Sequence, residues 1–142
     1  MRDHCKRIAL ITGSSGAIGR AIVRVFKESD FIVCGIDKVE YNNDELDHFI
    51  LVDLHDMVYD LKTRAKVKHD IIGWLDSNYL DVLVNNAAYQ YVSYDHPMSV
   101  DEMIRSYSIN VIAPYLLITE LADFMTEASG SVVNIGSIHS RL

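Results

Sequence analysis

Apolar residues occur along the chain in short unbroken runs, and the segments between these runs are polar or have helical periodicity. Five of the runs are predicted to be strands: Ile8–Ile11, Phe31–Ile36, Phe49–Val52, Asp81–Val84 and Ser131–Ile135. A run that is apolar at successive positions, rather than at every second one, is typical of a strand buried on both faces. The pattern predicts an α/β protein with a parallel sheet and helices on both faces.

The helices predicted between the strands each carry an apolar stripe. The helix after the first strand is predicted to bury Ile18, Ala21, Ile22, Val25 and Phe26. The helix before the fourth strand carries on one face Val58, Leu61, Ala65, Ile72 and Leu75, and it ends between Gly73 and Asn78. The longest helix begins at Ser99 with a capping box and is predicted to bury Met103, Tyr107, Val111, Ile118, Leu121 and Met125. The polar stretch 39–47 is too short for more than one helical turn.

Pro114 interrupts the longest helix. Proline has no backbone N–H, so the carbonyl of Asn110, four residues earlier, loses its helical partner. The helix is predicted to kink there, and the carbonyl needs another donor. We expect a water molecule in that role, which makes Asn110 a candidate water-holding residue that faces the sheet.

Three glycines follow the first strand directly, in the stretch Thr12–Gly19 with the sequence TGSSGAIG. Glycine lets the backbone approach a ligand closely, and the free N–H groups at the start of the next helix attract phosphate. We interpret the stretch as the seat of a dinucleotide's pyrophosphate, with the candidate residues Gly13, Ser15, Gly16, Ile18 and Gly19. The alternative is that these glycines only turn the chain and cap the helix.

Asp37 ends the second strand, at the tip that a right-handed crossover places beside the glycine turn. A carboxylate there can accept both hydroxyls of an adenosine ribose and repels a 2′-phosphate, so NAD is predicted to be preferred over NADP. Lys38 follows immediately and could soften that preference. Alternatively, Asp37 only starts a turn at the end of the strand.

Asp53 and Leu54 follow the third strand, again where parallel strands point toward a ligand crevice. The two residues could flank an adenine ring. An equally good interpretation is that Asp53 or Asp56 caps the helix that follows.

The fourth strand runs into amide and small side chains, Asn85-Asn86-Ala87-Ala88. Amides can bridge neighbouring strands and small residues leave room for a sugar, so Asn86 and Ala87 are candidate binding residues. The loop that follows contains Tyr89, Tyr91, Tyr94 and His96. It could line a substrate pocket, but His96 precedes a proline and is as easily part of a turn.

Composition and charge narrow the classes of function. A chain of 142 residues with 49% hydrophobic content can bury one core, so a single domain over residues 1–142 is predicted. A formal charge of −7 argues against a nucleic-acid partner. Four basic residues are expected to solvate the outer side of a helix: Lys62, Arg64, Lys66 and Lys68.

The cysteines and the lengths of the apolar segments predict the cellular compartment of the protein. Cys5 and Cys34 lack metal-type or CxxC spacing, so no metal site is predicted and both are expected to be reduced thiols. The charged first residues argue against a signal peptide, and no segment is predicted to have the ~18 apolar residues of a membrane span. A cytoplasmic protein without a membrane partner is expected.

Taken together, these motifs resemble the short-chain dehydrogenase/reductase family in order and approximate spacing: Thr12-Gly13-x-x-Gly16-x-x-Gly19, Asp37, Asp53-Leu54, Asn85-Asn86-Ala87-Ala88, Asn110 and Asn134-Ile135-Gly136-Ser137. The resemblance covers almost the entire chain. It implies a Rossmann-like, doubly wound parallel sheet, binding of NAD(P), and hydride transfer between nicotinamide C4 and a small-molecule carbonyl or alcohol. It also implies that Ser137 polarises the substrate oxygen and that the main-chain carbonyl of Asn110 holds the water of a proton relay. A homo-oligomer is expected for a complete chain.

The chain departs from the family pattern slightly at Ala17 and Ala88, and substantially at one functional pair. The family's general acid/base is a Tyr followed four residues later by a Lys, and none of the eight tyrosines here has Lys at that spacing. General acid/base groups contribute typically ~10²–10⁴-fold to a rate. We therefore expect an amino-terminal cofactor-binding half of a longer dehydrogenase, truncated after strand five and inactive alone.

Two other interpretations stay open. The chain could be a catalytically inactive NAD-binding sensor or interaction module, or its fold could bind another nucleotide such as a methyl donor, since Asp37 suits any ribose diol. If the chain ends after strand five, that strand is predicted to be an apolar edge prone to association. The long helix from Ser99 would then also expose an apolar face.

Overall fold

The computed structural model describes residues 6–40, 45–92 and 95–137. In chain order its elements are β1 Ile8–Thr12, α1 Ala17–Glu28, β2 Ile32–Asp37, β3 His48–Leu51, α2 Leu54–Tyr59, α3 Leu61–Leu75, β4 Val82–Asn85, α4 Val100–Tyr107, a π-helical turn Ser108–Ile112, α5 Ala113–Thr126 and β5 Ser131–Asn134. The expectations for Cys5, Tyr94 and the centre of the 39–47 crossover lie outside the described residues.

The five strands form one sheet in the order β3-β2-β1-β4-β5, and all pairings are parallel. Leu10, Cys34 and Leu83 belong to a buried cluster that α2, α3 and α5 complete on one face. Ile11 and Val84 belong to a smaller cluster on the other face, completed by α1. The predicted fold class, a Rossmann-like doubly wound parallel sheet with helices on both faces, is confirmed.

The helix predicted before β4 is two helices rather than one. Asp60 ends α2 and caps α3, because its carboxylate accepts the N–H groups of Lys62 and Thr63, each at 3.1 Å. This break shifts the phase of α3, whose buried residues are Val67, Ile71 and Leu75. Two of the residues predicted to be buried, Leu61 and Ala65, are exposed.

The basic cluster on α3 also differs in part from its prediction. Arg64 donates hydrogen bonds to the carbonyls of Met57 and Val58 and so holds the end of α2. Lys68 pairs with Glu120 of α5. Lys62 and Lys66 are exposed, as predicted, and the Lys68 side chain is still 43% exposed beside Glu120.

The apolar stripe predicted for α1 is only partly buried. The helix meets the sheet along Gly19 and Val23, whereas the side chains of Ile18 and Val25 are 62% and 61% exposed. Ala21 is exposed as well. The exposed residues of α1 line an open apolar groove beside β5, together with Ile22, Val133 and Ile135.

The long helix contains a π turn immediately before Pro114. The N–H of Ala113 donates to the carbonyl of Ser108, five residues earlier, so the predicted irregularity takes the form of a wider turn. The extra residue rotates the stripe before it by about 100° relative to the stripe after it. The prediction that Met103, Tyr107 and Val111 are buried is therefore wrong, since all three are exposed.

Beyond the π turn the buried side is Ala113, Leu117, Leu121 and Met125. The predicted Ile118 is half-buried. The predicted exposure of an apolar face on the long helix is found on its first half, at Val100, Met103, Ile104, Tyr107 and Val111.

The segment Val100–Thr126 corrects the expectation about membrane spans. By length and composition alone this helix could cross a membrane. Helices that form the core of a folded domain meet the same criterion, and α5 packs Leu117 and Leu121 into the cluster on the sheet.

Cys34 lies in β2 with no exposed surface. Burial raises the pKa of its thiol far above the ordinary value, because the thiolate would lose its hydration. The side chain therefore acts as a small apolar core residue, and its predicted reduced state stays a prediction.

The exposed edge of the sheet gives the first testable prediction. β5 is an edge strand whose Val132, Val133 and Ile135 are 39%, 42% and 43% exposed. We expect the 142-residue chain to associate as its concentration rises, and Val133→Lys to reduce that association, because a charged side chain blocks edge-to-edge pairing. Sedimentation velocity over a concentration series measures this. Leu61→Lys, at a 71% exposed site on α3, is the matched control, and equal effects of both variants would contradict the edge interpretation.

Candidate functional site

One cavity of about 500 Å³ opens at the carboxyl ends of the parallel strands. The ends of β1, β2, β3 and β4 all contribute to it, because their register brings them to the same edge of the sheet. All ten residues predicted to bind a cofactor line this cavity: Gly13, Ser15, Gly16, Ile18, Gly19, Asp37, Asp53, Leu54, Asn86 and Ala87. The two residues predicted to be catalytic, Asn110 and Ser137, do not line it.

The glycines between β1 and α1 serve different purposes. Gly13 has a φ of +66°, and a Cβ there would lie 2.8 Å from the Cα of Ala87. A Cβ on Gly19 would lie 2.0 Å from the carbonyl oxygen of Gly13. A Cβ on Gly16, in contrast, would lie 3.5 Å from the carbonyl oxygen of Gly13, an ordinary contact distance. The turn itself therefore requires Gly13 and Gly19, while Gly16 leaves open space at the start of α1.

Thr12 and Asn86 join the ends of β1 and β4. The buried hydroxyl of Thr12 accepts the N–H groups of Asn86 and Ala87, at 3.1 and 3.0 Å. The amide nitrogen of Asn86 in turn donates to the carbonyls of Thr12 and Gly13, both at 3.1 Å. These bonds fix the glycine turn against the neighbouring strand. The sequence pattern predicts no separate role for Thr12. The signal that could have indicated its hydrogen bonds is a hydroxyl side chain directly before the first glycine.

Asp37 is bonded to the glycine turn on the other side. One carboxylate oxygen accepts the N–H of Ser15 at 2.9 Å, and the other accepts the N–H of Val39 at 3.1 Å. The hydroxyl of Ser15 donates to the carbonyl of Val39 at 2.8 Å. An ionised carboxylate has about four acceptor sites, so roughly two remain for another donor in the cavity.

Asp53 caps α2, as one of its two interpretations predicted. One oxygen accepts the N–H of His55 at 2.9 Å, and the other binds the guanidinium of Arg105. Asp56 lies within the first turn of α2 and is not the cap. Partial burial raises the pKa of the Asp53 carboxyl, but the His55 N–H and the charges of Arg105 and Lys38 outweigh it and hold that pKa below the ordinary value.

Asn110 contacts the segment after β4 through its side chain. Its amide oxygen accepts the N–H of Tyr89 at 2.8 Å, and its amide nitrogen donates to the carbonyl of Tyr89 at 2.9 Å. The residue is exposed, and its expected orientation toward the sheet stays a prediction. It lies in the π turn. That its main-chain carbonyl holds a water stays a prediction.

Ser137 lies three residues after the end of β5 and is exposed. The strand ends before it are joined by side chains, since the amide of Asn85 donates to the side-chain oxygen of Asn134 at 2.9 Å. Asn85 thus bridges two strands, as its sequence context predicted. In the loop after β4, Tyr89 lines the cavity, whereas the Tyr91 hydroxyl and His96 Nδ1 are 2.6 Å apart and lie outside it.

Comparison with known proteins gives a family match over most of the chain. Residues 7–142 match the family model described as short chain dehydrogenase. The short-chain dehydrogenase virD of Hypocrea virens is 29% identical over 134 residues, which is 94% of this chain and 46% of that protein. The chain spans about half the length of the curated relatives it matches.

Two solved structures have closely similar folds. An oxidoreductase of the short-chain dehydrogenase/reductase family from Brucella ovis, in complex with a partially ordered NAD, gives a TM-score of 0.81 at 27% identity, over 94% of this chain and 64% of that one. A putative NAD(P)-dependent gluconate 5-dehydrogenase from Beutenbergia cavernae, with bound NADP, gives 0.79 at 23% identity, over 99% and 57%. Because the second protein is only 23% identical, its similarity is evidence for the fold alone.

The close approach of Gly19 to Gly13 predicts opposite effects for two Gly→Ala variants. Gly19→Ala should lower the free energy of unfolding by about 1–3 kcal/mol, because its methyl group overlaps a backbone oxygen. Gly73→Ala, at an exposed position of α3 where an added Cβ would meet no atom within 4 Å outside the helix backbone, should raise it by about 0.5–1 kcal/mol. Urea denaturation of both variants measures the difference. A Gly19→Ala variant as stable as the wild type would refute the steric role.

The depressed pKa of Asp53 predicts a dependence of stability on pH. Since the carboxyl titrates lower in the folded chain than in the unfolded one, the ionised form stabilises the fold above the ordinary Asp pKa of about 3.9. That contribution is lost as the pH falls through the lowered folded pKa. Asp53→Asn should therefore be less stable than the wild type at pH 7, and the difference should shrink on acidification. Denaturation midpoints from pH 7 to about 3 test this, and a constant difference would argue against the ion pair.

Proposed function

The chain belongs to the short-chain dehydrogenase family, and on that premise we propose that it forms the NAD(H)-binding part of an oxidoreductase acting on a small carbonyl or alcohol. One observation supports the proposal most. The glycine turn, Asp37, Asp53 and the Asn86–Ala87 pair come from four separate strand ends and line a single cavity. A crevice at the carboxyl ends of parallel strands is where open α/β sheets bind ligands.

The pyrophosphate of the dinucleotide is assigned to the start of α1. The cap residue of this helix, Gly16, has no side chain to occupy the first N–H groups, and no atom other than the Gly13 oxygen lies near its missing Cβ. These N–H groups and the positive end of the helix dipole stabilise negative charge. The residues present therefore fit a pyrophosphate, with Gly13, Ser15, Ile18 and Gly19 around it.

The adenosine half is assigned to the ends of β2 and β3. Asp37 has acceptor sites left for the two ribose hydroxyls after its bonds to Ser15 and Val39, and its charge would repel a 2′-phosphate. Asp53 and Leu54 would lie beside the adenine ring. NAD is therefore proposed as the preferred cofactor, although Lys38 on the same wall would favour a phosphate.

The chemistry is proposed from the family resemblance. When bound, the nicotinamide accepts or supplies a hydride at C4. Ser137 would donate a hydrogen bond to the substrate oxygen, and the main-chain carbonyl of Asn110 would hold a water molecule for proton transfer. Asn86 and Ala87 would leave room for a sugar of the dinucleotide.

We propose that the proton-transfer pair, a Tyr followed four residues later by a Lys, belongs to a part of the protein outside these 142 residues. No Tyr-x-x-x-Lys pair occurs among the 142 residues, and the relatives are about twice as long. The 142 residues alone would then bind NAD(H) without turning over a substrate. The same missing pair supports a second candidate function, that of an NAD-binding sensor or interaction module without catalysis.

Turnover by the 142-residue chain is the first test. We expect it to bind NADH, seen as a change in the cofactor's fluorescence, and to show no NADH oxidation with a panel of aldehydes and ketones, because the acid/base pair is missing. Measurable turnover would overturn the proposed inactivity. Failure of NADH to bind, or its displacement by S-adenosylmethionine, would overturn the cofactor assignment. The intact mass of the protein from its native source distinguishes the two candidate functions. A mass well above that of 142 residues would favour the cofactor-binding part of an enzyme, and a mass equal to it would favour a short binding module.

Asp37→Ala tests the ribose assignment. We expect NADH affinity to fall about 10–100-fold, because two hydrogen bonds to a charged group are lost. NADPH affinity should fall less, since the variant also removes repulsion of the 2′-phosphate. Titrations with both cofactors measure the ratio. Equal losses for both cofactors in Asp37→Ala would remove Asp37 from the ribose site.

A further inference from the structure

Arg105 is a charged side chain that does not line the cavity but contacts two residues that do. It lies on α4, and its side chain is 29% exposed. Its guanidinium binds the carboxylate of Asp53, which is itself only 20% exposed. The same guanidinium lies over the ring of Tyr89, 5.5 Å from the ring centre.

The two residues that Arg105 contacts both line the cavity but come from different parts of the chain. Asp53 lies at the junction of β3 and α2, and Tyr89 lies on the segment that follows β4. The side chain of Asn110 also binds the backbone of Tyr89, at both the N–H and the carbonyl of Tyr89. Asn110 and Arg105 thus both attach the segment of Tyr89 to the long helix. Of these two residues, Arg105 also contacts Asp53, so it joins the Tyr89 wall of the cavity to the Asp53 wall.

We propose that Arg105 is a positioning residue for the adenine end of the cavity, where it holds the Asp53 and Tyr89 walls at the separation that accepts a purine. This inference rests on the proposed NAD(H) binding. A planar guanidinium suits both contacts, because it can bind a carboxylate along its edge while its face stacks on an aromatic ring. A lysine ammonium offers a point charge without that flat face.

The pair also restricts the orientation of the Asp53 carboxylate. The N–H of His55 takes one oxygen and Arg105 takes the other, so the carboxylate cannot rotate without breaking one of the two bonds. Charge-assisted hydrogen bonds are roughly twice as strong as neutral ones, and this pair is partly shielded from water. The carboxylate therefore stays a fixed acceptor at the cavity wall.

The test compares two ligands that differ only in the base. AMP would occupy the adenine end, whereas ribose 5-phosphate would engage only the glycine turn and Asp37. In Arg105→Gln we expect AMP affinity to fall at least about tenfold, the loss typical of a charged hydrogen-bond partner, while ribose 5-phosphate affinity stays within about twofold. NMR titrations measure both affinities in the wild type and in the variant, and urea denaturation checks that the variant is folded.

Two further variants separate positioning from a general loss of charge or of folding. Arg24→Gln makes the same charge change at an arginine whose side chain is 64% exposed and 3.6 Å from Glu45, and it should leave AMP affinity unchanged. Arg105→Lys keeps the charge but loses the flat stacking face, so it should weaken AMP binding by an intermediate amount. It also replaces Arg105→Gln as the test if that variant does not fold.

A double-mutant cycle tests whether Arg105 acts through Asp53. If it does, Asp53→Asn together with Arg105→Gln should lose no more AMP affinity than the weaker-binding single variant. An additive loss, an equal loss for AMP and ribose 5-phosphate, or no loss at Arg105→Gln would overturn this inference while the proposed cofactor binding stands. A wild-type chain that binds neither NADH nor AMP would overturn both.

Discussion

The close approach of α1 to the end of β1 is the constraint on which the rest of the site depends. At Gly19 the helix passes so near the Gly13 carbonyl that no side chain fits between them. This contact sets the direction in which α1 leaves the sheet, and therefore the direction of the N–H groups at its start. The Thr12–Asn86 bonds on one side and the Asp37–Ser15 bond on the other hold the turn in that position. A ligand would meet a turn that is already formed.

Apolar and polar side chains occupy different parts of the strands in the sheet. The middle of β1, β2 and β4 is apolar and lies between helices on both faces of the sheet, whereas the carboxyl ends of the strands carry hydroxyl, amide and carboxylate side chains. Those polar groups bond first to each other or to the backbone across strand boundaries, as Asn85 does with Asn134. Because the acceptor sites of Asp37 and Asp53 are only partly used in this way, the same groups can fix the scaffold and still bind a ligand.

The parts of the fold that could be predicted are those whose signal is local. Continuous apolar runs mark buried strands, and glycines directly after the first run mark the turn. The outward stripe of α1 at Ile18 and Val25 could not be foreseen, because periodicity shows that a face is apolar but not that a neighbour covers it. The partner of Asp53 is 52 positions away at Arg105, and no local pattern links them. Asp60 did carry a local cap signal, which the apolar stripe across it obscured.

The π turn gives the long helix two independent halves. α5 buries four side chains in the core, whereas α4 buries none of its described residues and is attached through the π turn and through polar contacts such as that of Arg105. Loss of a single codon within 108–112 would restore a regular helix and rotate α4 by about 100° relative to α5, with a shift of about 1.5 Å along the axis. Arg105 would then turn away from Asp53 although neither residue had changed. A one-residue deletion in the middle of this helix would therefore alter the wall of the cavity from a distance, through the direction in which α4 leaves the turn.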